Sequence, residues 1–244
     1  MHIKGWARTS LIDYPEHIAT VLFTGSCNFR CPMCHNVDLV LRPTALPDVP
    51  EAEILAHLEK RAGLITGVVI TGGEPTLQND LAAFLGRVRQ LGYAIKLDTN
   101  GYRPDVLRAL LQQQLVDYVA MDVKAPPEKY AEVAGLPYAG LPRLDMARIE
   151  RSLDVLRDST VAYEVRTTIV PRWIAEDDVA ALAQWLATRF PPHGPRQWIL
   201  QPFRAQQTLD ESLRDVTPYS TARLQALADH ARQWVRTVRC RINC

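Results

Sequence analysis

Between Ile18 and Pro202, short runs rich in β-branched residues take turns with helical stretches, and this alternation restricts the folds open to the chain. Strands read at IATVLFT (18–24), GVVIT (67–71), YAIKLDT (93–99), DYVAMDVK (117–124), VAYEVRTTIVP (161–171) and RQWILQP (196–202). Helices read at 50–63, 79–92, 104–114, 145–158, 175–190 and, as a long closing helix, 218–238. Proline at several starts and glycine at several ends fit helix boundaries. Strands separated by helices have the room to run parallel in one sheet. Right-handed crossovers then curl six such units into an open, incomplete barrel. The expectation is an α/β chain with a partial (β/α)6 TIM-like barrel. It would form one domain over residues 1–244, with a short N-terminal extension and a C-terminal helix. PPHGP (191–195) reads as a rigid connection, not a boundary.

Composition narrows the function. A formal net charge of +1, with 23% charged and 47% hydrophobic residues, gives no electrostatic reason for a nucleic acid or acidic membrane as partner. No apolar run approaches the roughly 18 residues of a membrane helix, and MHIKGWARTSLIDYP lacks the apolar core of a signal peptide. The expected location is the cytoplasm. Thiols stay reduced there, so clustered cysteines point to metal or redox chemistry before disulfides.

The polar features gather at one end of the expected barrel. Chemistry in βα barrels sits at the C-terminal ends of strands. The first strand runs into Cys27, Cys31 and Cys34. The next ends are Gly72-Gly73-Glu74-Pro75, Asp98-Thr99-Asn100-Gly101, Asp122-Val123-Lys124 and Gln201-Pro202-Phe203-Arg204. On the fifth strand Glu164, Arg166 and Thr168 share a face, which a polar interior would satisfy.

Three of the five cysteines lie within eight residues, at spacings expected to bring the sulfurs to one point. Thiolates select iron–sulfur clusters, zinc or copper(I). Structural zinc wants four ligands. Three without an evident fourth suggest a cubane with one iron open to substrate, although spacing leaves His35 as a candidate fourth ligand. Plainer readings stand beside these. Asp-Thr-Asn-Gly is also a turn, Asp98 and Lys124 could be surface charge, and Cys240 and Cys244 read as exposed thiols. Arg232, Arg236 and Arg239 read as one solvated helix face.

The C-x3-C-x2-C run directly after a strand resembles the signature of radical S-adenosylmethionine (SAM) enzymes, and GGEP one βα unit later resembles their second motif. In order, TSLIDYPEHIATVLFTGSCNFRCPMCHN, TGGEPTLQ, KLDTNGY, DYVAMDVKAP and YEVRTTIVP are similar to the activating proteins of anaerobic ribonucleoside-triphosphate reductase, over roughly residues 4 to 205. Family members usually carry Gly where this chain has Glu16, and an aromatic residue where it has Met33.

The resemblance implies a barrel of the radical SAM type and a [4Fe–4S] cluster on Cys27, Cys31 and Cys34. It implies that Gly72, Gly73 and Glu74 hold the SAM amino group and that Met33 lies near adenine. His35 and Asn36 would count among the cofactor-binding residues. Asp98, the Thr99 backbone and Asp122 would form a monovalent-cation site beside the SAM carboxylate. Lys124 would contact SAM and serve catalysis with the cysteines, and Arg166 and Arg204 would join the cofactor site. Arg204 stands where pyruvate formate-lyase activases carry histidine.

The implied function is reductive cleavage of SAM to methionine and a 5′-deoxyadenosyl radical, which takes hydrogen from a glycine of a partner glycyl-radical enzyme. That partner would be anaerobic ribonucleotide reductase, with a flavodoxin- or ferredoxin-type electron donor. The alternatives are a pyruvate formate-lyase-type activase, a small-molecule radical SAM enzyme such as a deazapurine synthase, and a non-enzymatic iron–sulfur or zinc module. Deazapurine synthases typically show Gly-Glu-Gly before the cysteines, where this chain has Ile12-Asp13-Tyr14-Pro15-Glu16.

Overall fold

The computed structural model describes residues 1–136 and 144–241. The six expected strands are present as β2 (Ala19–Thr24), β3 (Gly67–Gly72), β4 (Ala94–Thr99), β5 (Tyr118–Asp122), β6 (Ala162–Ile169) and β7 (Trp198–Pro202). Two more extend the sheet: β1 (Ile3–Ser10) pairs antiparallel with β2, and β8 (Val238–Cys240) pairs parallel with β7. The eight strands lie in sequence order, parallel from β2 onward, and the sheet is unclosed.

The helices are α1 (Val37–Leu41), α2 (Glu51–Lys60), α3 (Leu81–Gln90), α4 (Pro104–Gln112), α5 (Pro127–Val133), α6 (Met146–Arg157), α7 (Glu176–Arg189) and α8 (Thr221–Ala231). α8 is shorter than the expected closing helix. After it, Val238, Arg239 and Cys240 alternate buried, exposed and half-buried, as an edge strand requires. Arg232 therefore caps α8 and Arg239 sits on β8, so the three arginines do not share a helix face. Cys240 is half-buried instead of exposed, and Cys244 lies outside the described residues.

The main core fills the space between the outer sheet face and the helices. Ile70, Ile95, Leu97, Val119, Met121, Val165 and Leu200 point into it from the strands. The inner face is divided. Tyr14, Ala19, Val21 and Val69, with Phe23, Ala94 and Tyr118 beside them, form a small apolar cluster. Alternation along the next strands places Lys96, Asp98, Asp122, Glu164, Arg166 and Thr168 on that same inner face. Among the described residues no helix is long and apolar enough to cross a membrane.

Candidate functional site

The loop that carries the cysteines leaves β2 at Thr24 and is tied down at separate points. Ser26 adopts a positive φ of 73°. Its N–H donates to the Leu39 carbonyl, and its carbonyl accepts from the Glu74 N–H, both at 2.8 Å. Further on, the Arg30 N–H donates to the Ala134 carbonyl at 3.0 Å, and the Asp210 N–H donates to the Pro32 carbonyl at 2.9 Å. The Arg30 guanidinium donates back to the carbonyls of Cys27 (2.6 Å) and Phe29 (2.8 Å). Phe29 is buried against Tyr102, with ring centroids 5.4 Å apart.

Burial pushes the Cys31 thiol up to about 11, with Lys124 opposing the rise and Cys34 adding to it. Burial, and then Glu74, raise Cys27 as well, and burial raises Cys34. Thiols so disposed are poor free nucleophiles. They ionise when a metal compensates the charge. Among the described residues no three Cys, His, Asp or Glu side chains are grouped to hold a single metal ion, while Cys31 and Cys34 both act electrostatically on Cys27. Cluster thiolates each take their own iron and need not share one ion.

The GGEP turn seats this loop. The Gly73 N–H donates to the Thr24 carbonyl at 2.8 Å. A Cβ on Gly73 would lie 1.9 Å from the Ser26 carbonyl oxygen, so only glycine permits the approach. Asn36 Nδ2 donates to the Gly72 carbonyl at 2.9 Å. Glu74 is 1% exposed. Its Oε1 accepts from the Thr76 N–H (3.1 Å), the Thr76 hydroxyl and the Thr99 hydroxyl (2.7 Å), and its Oε2 accepts from the Asn100 N–H (2.7 Å). Burial raises its carboxyl against these bonds. The side chain expected to grip a ligand amine is turned inward, where it fastens the end of β3 to the end of β4.

Beside the loop lies a chain of alternating charges. Lys96 Nζ is 2.9 Å from Asp98 Oδ1, and Arg166 Nη1 is 3.0 Å from Asp98 Oδ2. Arg166 Nε is 2.8 Å from Asp122 Oδ1, and Lys124 Nζ is 2.9 Å from Asp122 Oδ2. Burial alone would raise Asp122, yet Arg166 and then Lys124 hold its carboxyl well below the usual range. Burial likewise opposes the lowering of Asp98, which Arg166 and Lys96 impose.

Lys96, Arg166 and Lys124 are each paired to Asp98 or Asp122, and Glu164 acts on Arg166 as well, so the row is a network of opposed charges on the inner face. The carboxylates expected at a monovalent-cation site already meet protein cations. Sequence reading missed Lys96, whose signal was its place two residues before Asp98 on one strand face. Lys124 also acts electrostatically on Cys31 and Cys34, which joins the charges to the cysteine loop. Met33 is buried in the main core, while His35 and Arg204 are exposed.

Residues 21–186 match the family model described as the radical SAM superfamily. The chain belongs to the radical SAM superfamily. It is 30% identical over 237 residues to a protein of Methanocaldococcus jannaschii provisionally named a glycyl-radical enzyme activating enzyme, covering 97% of this chain and 94% of that one. A 7-carboxy-7-deazaguanine synthase of Methanopyrus kandleri is 35% identical over 130 residues, 46% of this chain and 50% of that one. In structure, the fold is similar to Streptococcus suis SuiB bound to precursor peptide SuiA (TM-score 0.67, 12% identity), which it covers over 92% of this chain and 48% of SuiB. The chain spans about half the length of SuiB. The superfamily has a partial TIM barrel, as found here, and its cofactors are a [4Fe–4S] cluster and SAM.

The residues present fit those groups. The Phe29 N–H donates to Cys27 Sγ at 3.3 Å, a bond that favours thiolate. Asn28 Nδ2 is buried with no protein acceptor, and cluster sulfur would supply one. Lys124, 17% exposed, is a cation that would meet the carboxylate of SAM's methionine end.

Proposed function

We propose that the chain is a radical SAM activase that generates a glycyl radical on a partner protein. The observation that carries this reading is the 30% identity to the M. jannaschii protein, which extends over 97% of this chain and 94% of that relative. The deazaguanine synthase likeness has higher local identity but reaches only 46% of this chain, so it reflects the shared superfamily core. Residues 1–244 then act as one catalytic unit.

In this reading Cys27, Cys31 and Cys34 ligate the cluster. When bound, the cluster supplies one electron to the sulfonium of SAM, which releases methionine and a 5′-deoxyadenosyl radical that abstracts hydrogen from the partner's glycine. Lys124, 17% exposed, and Arg166 offer positive charge to the SAM carboxylate. The Gly72–Gly73 backbone receives the amino group, and Met33 packs behind the adenine side. The apolar inner cluster around Tyr14, Val21 and Val69 fills the inner face toward the N-terminal strand ends, away from the cysteine loop. The partner fitting the sequence resemblance is anaerobic ribonucleoside-triphosphate reductase, with a flavodoxin- or ferredoxin-type protein as electron donor.

The test mixes anaerobically reconstituted protein, SAM, reductant and that reductase. A glycyl-radical doublet should appear on the reductase by electron paramagnetic resonance, and Cys31→Ala should give none. Ready SAM cleavage that leaves every glycyl-radical enzyme of the cell without a radical would overturn the activase reading in favour of a small-molecule substrate.

A further inference from the structure

The cysteine loop and the end of β4 meet through two amides. The Asn100 N–H donates to Glu74 Oε2 at 2.7 Å, and Asn100 Oδ1 accepts from the Tyr102 N–H at 3.0 Å. The second contact decides which way the side-chain amide faces. Flipped, it would set its NH2 against the Tyr102 N–H and its oxygen against the Asn28 oxygen. In the satisfied orientation Asn100 Nδ2 donates to Asn28 Oδ1 at 2.9 Å and lies 3.9 Å from Cys27 Sγ. The bond from Asn100 turns the other arm of Asn28, Nδ2, into a buried position with no protein acceptor. One amide donor is thus directed at the Cys27 sulfur, and a second, on the residue that follows Cys27 in the chain, is buried and left over.

We infer that Asn100 and Asn28 are positioning residues that donate hydrogen bonds to the Cys27 thiolate and to the cluster sulfur beside it, and so set the reduction potential of the cluster. The inference rests on Cys27, Cys31 and Cys34 holding that cluster. Donors to sulfur stabilise negative charge, and the reduced cluster carries one more electron than the oxidised one, so each donor raises the potential. The inward-turned Glu74 gains a purpose in this arrangement, because its bond to the Asn100 backbone fixes where the amide stands.

Redox titration of the anaerobically reconstituted protein, followed by electron paramagnetic resonance with iron content measured in parallel, tests the pair. Asn100→Ala and Asn28→Ala should each keep wild-type iron per chain and shift the midpoint potential to more negative values. The double variant should fall no further than Asn100→Ala, because Asn28 is oriented by Asn100. Asn28→Ala leaves the contact between Asn100 and Tyr102 intact and decides the matter if Asn100→Ala loses iron. Full iron loading with unmoved potentials overturns the role of the pair alone. A wild-type protein that assembles no [4Fe–4S] cluster overturns the cluster reading with it.

Discussion

Lys124 and Arg166 both pair with Asp122, yet their removal should read out differently. Lys124 touches one carboxylate, is 17% exposed and acts electrostatically on Cys31. Lys124→Ala should retain the cluster and lose a charge-assisted contact to SAM worth about 1.5–3 kcal/mol, roughly tenfold to a hundredfold in affinity by equilibrium dialysis. Arg166 is 12% exposed and bridges Asp98 and Asp122. Arg166→Met leaves two carboxylates facing each other, a loss of about 3–5 kcal/mol for a broken buried pair.

The sign with pH follows from the depressed carboxyls. Asp98 and Asp122 stabilise the fold fully above their ordinary value of 3.8, and that stability is lost as pH falls through their lowered values. In Arg166→Met the carboxyls titrate higher, so thermal melts should begin to fall at a less acidic pH than in wild type. Identical melting profiles would mean that Arg166 does not hold them. Among single residues, the cysteines and strand-end acids were legible because motif spacing names them. The orientation of Glu74 was not, because its partner Asn100 lies 26 positions away.

At the scale of elements, α5 supports the cysteine loop, a role that no motif announces. Its chain leaves through Gly135, whose φ is 67°, and a Cβ there would lie 1.9 Å from the Arg30 carbonyl oxygen. Gly135→Ala should push the loop off the Ala134 carbonyl and lower iron per chain after reconstitution. Gly86, within α3, has open space where a Cβ would go. Gly86→Ala should keep full iron and gain about 0.5–1 kcal/mol of stability. Equal iron content in the two variants would remove α5 from the site.

The six parallel strands were legible from runs such as GVVIT and YAIKLDT, whose β-branched patterns stand out between helices. β1 was not, because IKGWARTS interrupts its alternation with Gly5 and small or charged residues, and it becomes a strand by pairing with β2. β8 is three residues long and owes its form to the free edge of β7. α5 is short and opens on prolines that, from sequence, read only as breakers.

Across the whole molecule, an unclosed sheet has to keep its inner face together without the last strand pairing with the first. A line of contacts does this from the C-terminal edge to the N-terminal loop. Arg241, just past β8, donates to Glu164 Oε2 at 2.7 Å, and the Tyr118 hydroxyl donates to the same atom at 3.1 Å. Lys96 Nζ stands 6.0 Å from the Tyr118 ring centroid and donates to the Asp13 carbonyl at 2.6 Å. Glu164 is 1% exposed, so its charge depends on these partners.

Arg241→Met should therefore destabilise the apo-protein by about 3–5 kcal/mol, the cost of leaving one member of a buried pair behind. Adding Glu164→Gln should return most of that loss, because a neutral amide still accepts from Tyr118 and no longer carries a buried charge. Urea unfolding of wild type, the single variant and the double variant checks it, with slopes compared to see that the same surface is exposed. If Arg241→Met unfolds at the wild-type midpoint, the edge-to-loop line does not hold the inner face, and the stability of the open barrel lies in the helix-covered core alone. If the single variant is weakened and the double is not rescued, Arg241 acts through contacts other than the Glu164 charge.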